Sequence, residues 1–575
     1  MRPITIIQRL MLTIAVCVLG SLLIEYGFGL SKDYTQLTHK LQFGAAYLFC
    51  FLQIAKLFFT CNAFRFLFKN WLGFTLVFLM LFQLLVGWGL ETTPEYDYLL
   101  QQGTKVPLAS VSLAFIQCYF LAIAAIESTF FHKMLIRLQL KPVMILIVSF
   151  LTAITIGTLL LKLPKATAPD IHLSWINSFF TAVSAVCITG LTAVDTGSAF
   201  SAMGQVIILV LIQLGGLGII TFTAFMAVFS GEGLKSEDTK NINALLATKN
   251  FQEIKTFLFR IIVFTLLAEL LGAVILFKIF QPDISNPFLR FFYAVFHSVS
   301  AYCNAGFSLW SESVASYSGN IKAMAVFYFL ILMGSIGYPV LITIPGFFIK
   351  TLKGRLYEFP IHTKTVLKIT LLIITVGSIL FFLLESNGVM SEFNFKQKIL
   401  TSIFMPITTR TCGFQTVDIS GIGFSTVILC SALMFIGGSP ASSAGGMKTA
   451  TIAVIFAHLR NKFFGKKNTF PTLSRIEIIP KTIKKAYLIF GVIISSALVC
   501  AVAIWFLENK SFDKVLFESV SATATVGLSM NVTDGLQNVS KVFLTVCMLI
   551  GRIAPAFIVI KINRKYRRRE KIILG

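Results

Sequence analysis

The sequence predicts an all-α polytopic membrane protein in which four pseudo-repeated units surround one central pore. The 575-residue chain is 56% hydrophobic and only 13% charged, whereas charged residues make up roughly 25% of a typical soluble domain. Apolar runs long enough to cross a bilayer core of about 30 Å recur along the whole chain. A short motif centred on glycine occurs four times between such runs. These three observations together predict the fold class.

Twelve apolar runs are the predicted membrane spans. They cover residues 7–30, 42–63, 70–90, 106–131, 142–162, 203–229, 258–280, 320–349, 366–386, 422–458, 483–507 and 538–561. The first run has the length of a full span, so we expect a membrane helix there and not a cleavable signal. The first four runs lack the glycine motif. They are interpreted as N-terminal accessory transmembrane helices within residues 1–138.

The net charge of +24 is distributed in a pattern that predicts topology. Lysine and arginine concentrate in alternate connecting segments, at residues 65–69, 132–141, 350–364, 460–485 and 561–571. Intervening segments are acidic or neutral, such as residues 91–97. This alternation is typical of the positive-inside rule and predicts a multi-pass protein with both termini in the cytoplasm. The basic residues therefore favour contact with membrane lipid, and we expect no nucleic-acid partner.

Each repeated unit contains a span, a shorter segment, the glycine motif and a second span. The predicted units cover residues 139–235, 236–350, 351–460 and 461–562, and a basic cytoplasmic tail follows at 563–575. The shorter segments, 174–186, 286–302, 394–409 and 511–524, cannot cross a bilayer and are predicted to be half-helices. Each begins after a residue typical of helix N-caps: Ser174, Asn286, Asn394 and Ser511. A Ser-Ala pair recurs six residues before the glycine, except in unit three, which has Ile407-Thr408 there.

The four glycine motifs are interpreted as the walls of one cation filter. A dehydrated cation needs oxygen atoms that replace its water shell, and rings of backbone carbonyls from several loops can supply them. Glycine permits the backbone angles that turn carbonyls inward, and half-helix C-termini add partial negative charge. One such motif could be an ordinary helix-breaking turn, but four equivalent ones favour a filter. The predicted ion-binding residues are Ile188, Thr189, Gly190, Asn304, Ala305, Gly306, Thr411, Cys412, Gly413, Thr525, Val526 and Gly527.

A run of small residues lies in the second span of unit three and is interpreted as a gate. Irregular backbone at membrane depth is tolerated only where it lines a cavity or is buried in protein. The alternative is a helix surface that packs closely through small residues. The predicted gate residues are Gly437, Gly438, Ser439, Pro440, Ser442, Ser443, Gly445, Gly446 and Lys448.

Arg552 places a positive charge within the last span. Charge inside a membrane is costly and is usually functional or paired. We interpret Arg552 as a pore-modulating residue that shortens the time for which a cation stays bound. Snorkelling to the interface and a buried structural ion pair remain the alternatives.

The sequence lacks the motifs of common enzymes. It contains no Ser/His/Asp grouping, HExxH motif or Walker motif, and the ten cysteines and six histidines are scattered. We therefore expect no enzymatic activity, no tightly bound organic cofactor and no metal site other than the potassium or other cation in the filter.

Several local motifs are specific enough to suggest a family. They are Ile436 to Pro440, Ala444 to Thr449, Gly334 to Pro339, Arg410 to Phe414, and Gly551-Arg552. With the four repeated units, they resemble the Trk/Ktr/HKT superfamily of cation-transporting subunits over about residues 140–562. The resemblance implies a TrkH/KtrB-like potassium uptake subunit of the bacterial inner membrane. It also implies a homodimer and a cytoplasmic TrkA/KtrA-like nucleotide-binding ring that opens the gate, with potassium as the transported ion.

Two alternatives remain open at the level of sequence. Sodium-preferring relatives often carry serine at the first filter glycine, and Gly190 therefore favours potassium. A sodium-permeable or sodium-coupled transporter on the same scaffold is nevertheless the first alternative. The second is an intramembrane sensor or assembly scaffold that does not conduct ions.

Overall fold

The computed structural model describes residues 3–28, 31–58, 142–217, 251–354, 359–440, 442–464, 472–473 and 476–563. Within these ranges the regular structure is almost entirely helical. The helices are α1 Pro3–Gly27, α2 Lys32–Phe58, α3 Pro142–Leu161, α4 Trp175–Cys187, α5 Thr196–Ala199, α6 Ala202–Gly216, α7 Phe251–Ile279, α8 Pro287–Cys303, α9 Ile321–Ile336, α10 Tyr338–Leu352, α11 Ile361–Glu385, α12 Phe395–Thr408, α13 Phe424–Met434, α14 Thr449–Phe464, α15 Pro480–Leu507, α16 Phe512–Thr523 and α17 Asn538–Asn563.

One small element differs from the predicted all-helical chain. Strands β1 Thr472–Leu473 and β2 Ile476–Glu477 pair in antiparallel fashion, with Thr472 opposite Glu477 and Leu473 opposite Ile476. The ribbon lies in the basic segment that joins units three and four. The ribbon lies between α14 and α15, and the rest of the regular structure in the described residues is helical.

Several helices have the length and composition of membrane spans. Among the described residues these are Phe259–Ile279, Thr363–Glu385, Pro480–Leu507 and Asn538–Pro555. Shorter apolar helices at Ile147–Leu161, Ala202–Gly216 and Phe424–Met434 fall within other predicted spans. The predicted spans at 70–90 and 106–131 and the end of 203–229 lie outside the described residues. So do the connecting segments at 65–69, 91–97 and 132–141, and the tail beyond residue 563.

The predicted span at 320–349 contains a sharp bend that the sequence analysis does not predict. Helices Ile321–Ile336 and Tyr338–Ile344 meet at 113°. Gly337, which separates them, has φ +91°, a left-handed value that favours glycine. A Cβ atom at this position would lie 2.7 Å from the carbonyl oxygen of Pro440. The bend therefore depends on glycine both for its backbone angle and for its close contact with the segment that contains Pro440.

The chain divides into two compact units, Met1–Gln139 with Leu163–Lys165, and Leu140–Lys162 with Ala166–Gly575. In the described part of the first, α1 and α2 pack around a small apolar cluster. The buried carboxylate of Glu25 lies beside it and accepts a hydrogen bond from Gln42 Nε2 at 2.8 Å. His39 Nε2 lies 2.7 Å from the other carboxylate oxygen. The boundaries predicted for the accessory helices and the four units remain predictions.

The core of the second unit is built on the short helices α4, α8, α12 and α16. Their inner faces are buried, and each contributes a phenylalanine with no exposed surface: Phe180, Phe296, Phe404 and Phe517. Long helices pack around them, including α7 against α8 and α15 against α16 and α17. A large apolar core thus fixes the half-helices and the loops that follow them.

Replacing Gly337 by alanine tests the origin of the bend. A left-handed residue with a Cβ atom costs on the order of 1–3 kcal/mol, and the contact with Pro440 adds to this cost. We expect a lower unfolding temperature for the purified protein in detergent. Gly491→Ala is the matched control, because a Cβ atom there would meet nothing within 4 Å. Equal unfolding temperatures for the two variants would contradict the explanation.

Candidate functional site

Four half-helices lead into the glycine loops, as the sequence predicts. Helices α4, α8, α12 and α16 have 13, 17, 14 and 12 residues, too few to cross a bilayer core of about 30 Å. Three begin with a side-chain cap: Ser174 Oγ accepts from Asn177 N, Asn286 Oδ1 from Phe288 N, and Asn394 Oδ1 from Gln397 N. The predicted cap at Ser511 makes no such side-chain hydrogen bond.

The four filter glycines form a closed ring of contacts. A Cβ atom on each would lie under 3.0 Å from the carbonyl oxygen of the residue that precedes the next filter glycine. Each such carbonyl belongs to the next unit, and the series runs from unit one to unit four and back. The pairs are Gly190 with Ala305, Gly306 with Cys412, Gly413 with Val526, and Gly527 with Thr189. The structure thus brings the four predicted loops together around one axis.

The loops share an alternating backbone conformation. Each glycine has a left-handed φ between +71° and +93°, and the residue two positions earlier is also left-handed. Those earlier residues are Ile188, Asn304, Thr411 and Thr525, with φ values from +51° to +71°. The residue between them lacks a positive φ, and this alternation lets successive carbonyls face the same side of the chain. Left-handed backbone is unfavourable for residues with a Cβ atom, so all four loops hold it through surrounding contacts.

The half-helices occupy the amide groups of the loops. In units one, two and four, the amide that precedes the glycine donates to a serine carbonyl five residues earlier, at 2.8 Å. The serine hydroxyls also bind the loop, since Ser184 Oγ accepts from Gly190 N and Ser521 Oγ from Gly527 N. In unit two, Ser300 Oγ donates to Phe307 O. With the amides bonded to the half-helices, loop carbonyls are available to a cation.

In unit three the half-helix also binds its loop through a hydroxyl group, but the spacing to the glycine is one residue shorter. Thr408 lies five residues before its glycine, whereas the corresponding serines lie six before theirs. Its hydroxyl donates to Phe414 O at 2.7 Å, matching the bond that Ser300 makes in unit two. Cys412 N donates to Thr408 O over four residues. The apparent departure at Ile407-Thr408 is therefore a shift of register, and the hydroxyl is retained.

The glycine ring opens into a polar cavity of about 210 Å³. All four filter glycines line it, and so do the residues two positions after each of them: Thr192, Ser308, Gln415 and Ser529. Asp195 and Asp534 also belong to the lining. Carboxylates beside a pore attract cations. The cavity therefore combines four convergent loops with negative charge near its surface.

An irregular segment lies directly against the filter loops. Helix α13 ends at Met434 and α14 begins at Thr449, so the predicted gate residues lie outside any helix. Ser443 Oγ lies 2.9 Å from the side-chain amide of Asn304 and donates to Gly334 O at 2.9 Å. Gly445 N donates to Thr411 Oγ1 at 3.2 Å. The segment thus contacts the second and third filter loops directly.

The remaining gate residues fold the segment back on itself or bind it to the bend after α9. Gly437 N donates to Met447 O, Thr449 N to Gly438 O, and Ser439 N to Ser335 O. Within the segment, Ser442 Oγ donates to Ser439 O and Lys448 Nζ to Ala444 O. The carbonyl of Pro440 abuts Gly337, and Gly446 has φ +62°. Residue 441 lies outside the described residues.

Arg552 joins the irregular segment to unit one. Its Nη1 donates to Ser443 O at 2.7 Å and its Nη2 to Gly215 O at 2.9 Å. The alternative of a structural ion pair finds no carboxylate partner among the described residues, where both contacts are to carbonyls. The guanidinium therefore bridges α17, the irregular segment and the end of α6.

Sequence reasoning missed a pair of residues that hold the outer edge of the filter. His297 Nε2 lies 3.2 Å from Ser308 Oγ and accepts from Leu309 N. Glu518 lies at the same distance before its glycine, and its carboxylate accepts from Ser529 Oγ, Thr533 Oγ1 and Met530 N. The sequence signal that could have identified them is a polar residue nine positions before the glycine in two otherwise apolar half-helices.

Comparison with known proteins gives consistent matches. Residues 111–564 match the family described as TrkH, cation transport protein. The Ktr system potassium uptake protein B of Bacillus subtilis is 33% identical over 431 residues, which cover 74% of this chain and 93% of that protein. The potassium/sodium uptake protein NtpJ of Enterococcus hirae is 30% identical over 451 residues, covering 76% of this chain and 96% of that protein.

A solved structure shares the fold. The potassium transporter TrkH from Vibrio parahaemolyticus aligns with a TM-score of 0.55 and 17% identity, over 84% of this chain and 97% of that chain. This likeness confirms the predicted all-α polytopic membrane architecture. The family match and the relatives confirm the resemblance that the motifs suggested. The chain therefore belongs to the TrkH family of cation transport proteins.

Proposed function

We propose that this protein takes up potassium across the bacterial inner membrane through a carbonyl filter built by the four glycine loops. The observation that carries the proposal is the closed ring in which each filter glycine abuts a carbonyl of the next loop. Four convergent half-helix C-termini add partial negative charge, and carbonyls replace the water shell of the ion. The B. subtilis relative is named for potassium uptake, which favours this ion.

Sodium transport is the alternative that a specific observation supports, because the E. hirae relative is named for both potassium and sodium. Gly190 and the other three filter glycines favour potassium. Uptake of each ion by a bacterial strain that lacks its own potassium transport tests the choice. Equal sodium and potassium uptake would contradict the proposed selectivity.

In the proposed mechanism, the segment 437–446 closes the pathway on the inner side of the filter. Its contacts with Asn304 and Thr411 support this role, because movement of the segment would change the inner edge of two filter loops. A cytoplasmic TrkA/KtrA-like nucleotide-binding ring would pull the segment aside. The protein would act as a homodimer with both termini in the cytoplasm, in accord with the basic alternate segments.

Arg552 would limit how long an ion stays on the inner side of the filter. Its guanidinium is fixed by two carbonyls, one of them in the proposed gate. A fixed positive charge there opposes tight cation binding and so assists release. The same contact would couple release to the position of the gate.

Gly413→Ala should reduce potassium uptake by at least about tenfold, since carbonyl filters depend on precise oxygen placement. The added Cβ would strain a left-handed residue and meet Val526 O. Radioactive rubidium uptake measures the effect. Gly421→Ala is the control, because its Cβ would meet only Val389 at 3.7 Å. A non-conducting scaffold would keep its activity in both variants, and normal uptake by Gly413→Ala would count against the filter.

Ser443→Ala should raise uptake in the absence of the regulatory ring. The substitution removes the hydrogen bond that this hydroxyl donates to Gly334 O and the one that it accepts from the Asn304 amide, so the closed segment loses stability. Ser442→Ala is the matched control, since that hydroxyl bonds only Ser439 O within the segment. If Ser443→Ala remained as dependent on the ring as the unchanged protein, the gate assignment would be wrong.

Arg552→Gln should change the turnover or the apparent KM for potassium, while the protein still assembles. Loss of the charge removes its opposition to cation binding, so a lower KM is expected. Arg552→Lys retains the charge and should behave more like the original protein. Size-exclusion chromatography checks assembly alongside rubidium uptake. A variant that only misfolds, with no intermediate effect in Arg552→Lys, would indicate a structural role.

A further inference from the structure

A buried carboxyl group lies beside the second filter loop and takes no part in the proposed filter or gate. Glu269 is at the midpoint of the span Phe259–Ile279 and is 6% exposed. Its Oε2 accepts from Gln213 Nε2 at 3.2 Å, and its Oε1 lies 3.7 Å from Cys303 Sγ. Cys303 is the last residue of α8, directly before the filter residue Asn304. The carboxyl group is therefore one side chain away from the filter loop.

No cation neutralises this carboxyl group within the described part of the chain, where it forms no ion pair. The nearby titratable groups are Cys303 and Tyr302 on α8 and Tyr338 on α10. Helix α9, which also packs against α7, carries no charged residue after Lys322. Gln213, which belongs to α6 and donates to Glu269, is neutral. Among the described residues, none of these groups therefore offers Glu269 a positive charge.

Arg552 is the basic residue to consider near this group. It donates to Gly215 O, two residues after Gln213, and forms no ion pair with Glu269. An ionised carboxylate buried at membrane depth without a direct counterion is strongly unfavourable. Burial without a direct counterion therefore favours the neutral, protonated form of Glu269.

We propose that Glu269 is a proton-binding site that adjusts the affinity of the filter for cations. On alkalinisation the carboxyl group releases its proton to water and gains one negative charge. That charge lies beside the C-terminus of α8, which already carries partial negative charge toward the filter. Both charges attract a cation in the second loop. Cation affinity should consequently rise as the pH rises.

Infrared difference spectroscopy tests the proton site without relying on the proposed function. The full-length protein in lipid vesicles is titrated from neutral to alkaline pH. We expect the carbonyl band of a protonated carboxyl group to disappear, and E269Q to lack that change. E385Q is the control, because Glu385 is equally buried but accepts from the backbone amides of Val389 and Gly423. Identical difference spectra for the original protein and E269Q would overturn the proposal.

Rubidium uptake tests the effect on affinity, which rests on the proposed function. The apparent KM should fall by roughly threefold to tenfold on alkalinisation, the size of a charge interaction in a partly polar interior. In E269Q the KM should stay at its neutral-pH value, while E385Q retains the pH dependence. A pH-dependent KM in E269Q would overturn the affinity role. If no variant transports rubidium, the proposed function fails, and the infrared result still decides the proton site.

A second variant guards against misfolding. E269D keeps a titratable carboxyl group and should retain an infrared change at a shifted pH. A band in folded E269D that titrates at the same pH as in the original protein would place the titrating group elsewhere and contradict the proposal.

Discussion

The contact between each filter glycine and a carbonyl of the next loop is the constraint on which the rest of the structure depends. No side chain fits between the loops, and the left-handed angles of the glycines turn the carbonyls toward the axis. Half-helices hold the loops by their amides, and an apolar core fixes the half-helices. The long outer helices then stabilise this inner structure within the membrane. A change at any level reaches the ring through packed, hydrogen-bonded neighbours.

Sequence reasoning predicted the elements that leave a local pattern. Apolar runs, short segments with capping residues and four equivalent glycines predicted the helices, the half-helices and the loops. The bend at Gly337 is not predicted because the apolar run continues across it, and the close contact with Pro440 is formed by a residue distant in sequence. The same limit applies to Thr408, because alignment on glycine assumes equal turn lengths. His297 and Glu518 were overlooked because their partners lie beyond the filter in the chain.

The irregular segment after α13 connects parts of the molecule that are distant in sequence. The Ser443 hydroxyl contacts Tyr302 O, the side-chain amide of Asn304 and Gly334 O. The Ser443 carbonyl accepts a hydrogen bond from Arg552. These bonds join the second filter loop, the bent helix pair and the last helix at one residue. The proposed filter and the proposed gate are therefore adjacent in the structure.

The shorter turn in unit three has a consequence for the symmetry of the four units. Units one, two and four keep the same spacing of six residues between the hydroxyl residue and the glycine. A transplanted third loop would set its glycine at a different height unless one residue were added at the same time. Three of the four loops therefore share one spacing between hydroxyl and glycine, and the third loop differs from them by one residue. The fourfold pattern is broken in the unit that also carries the irregular segment.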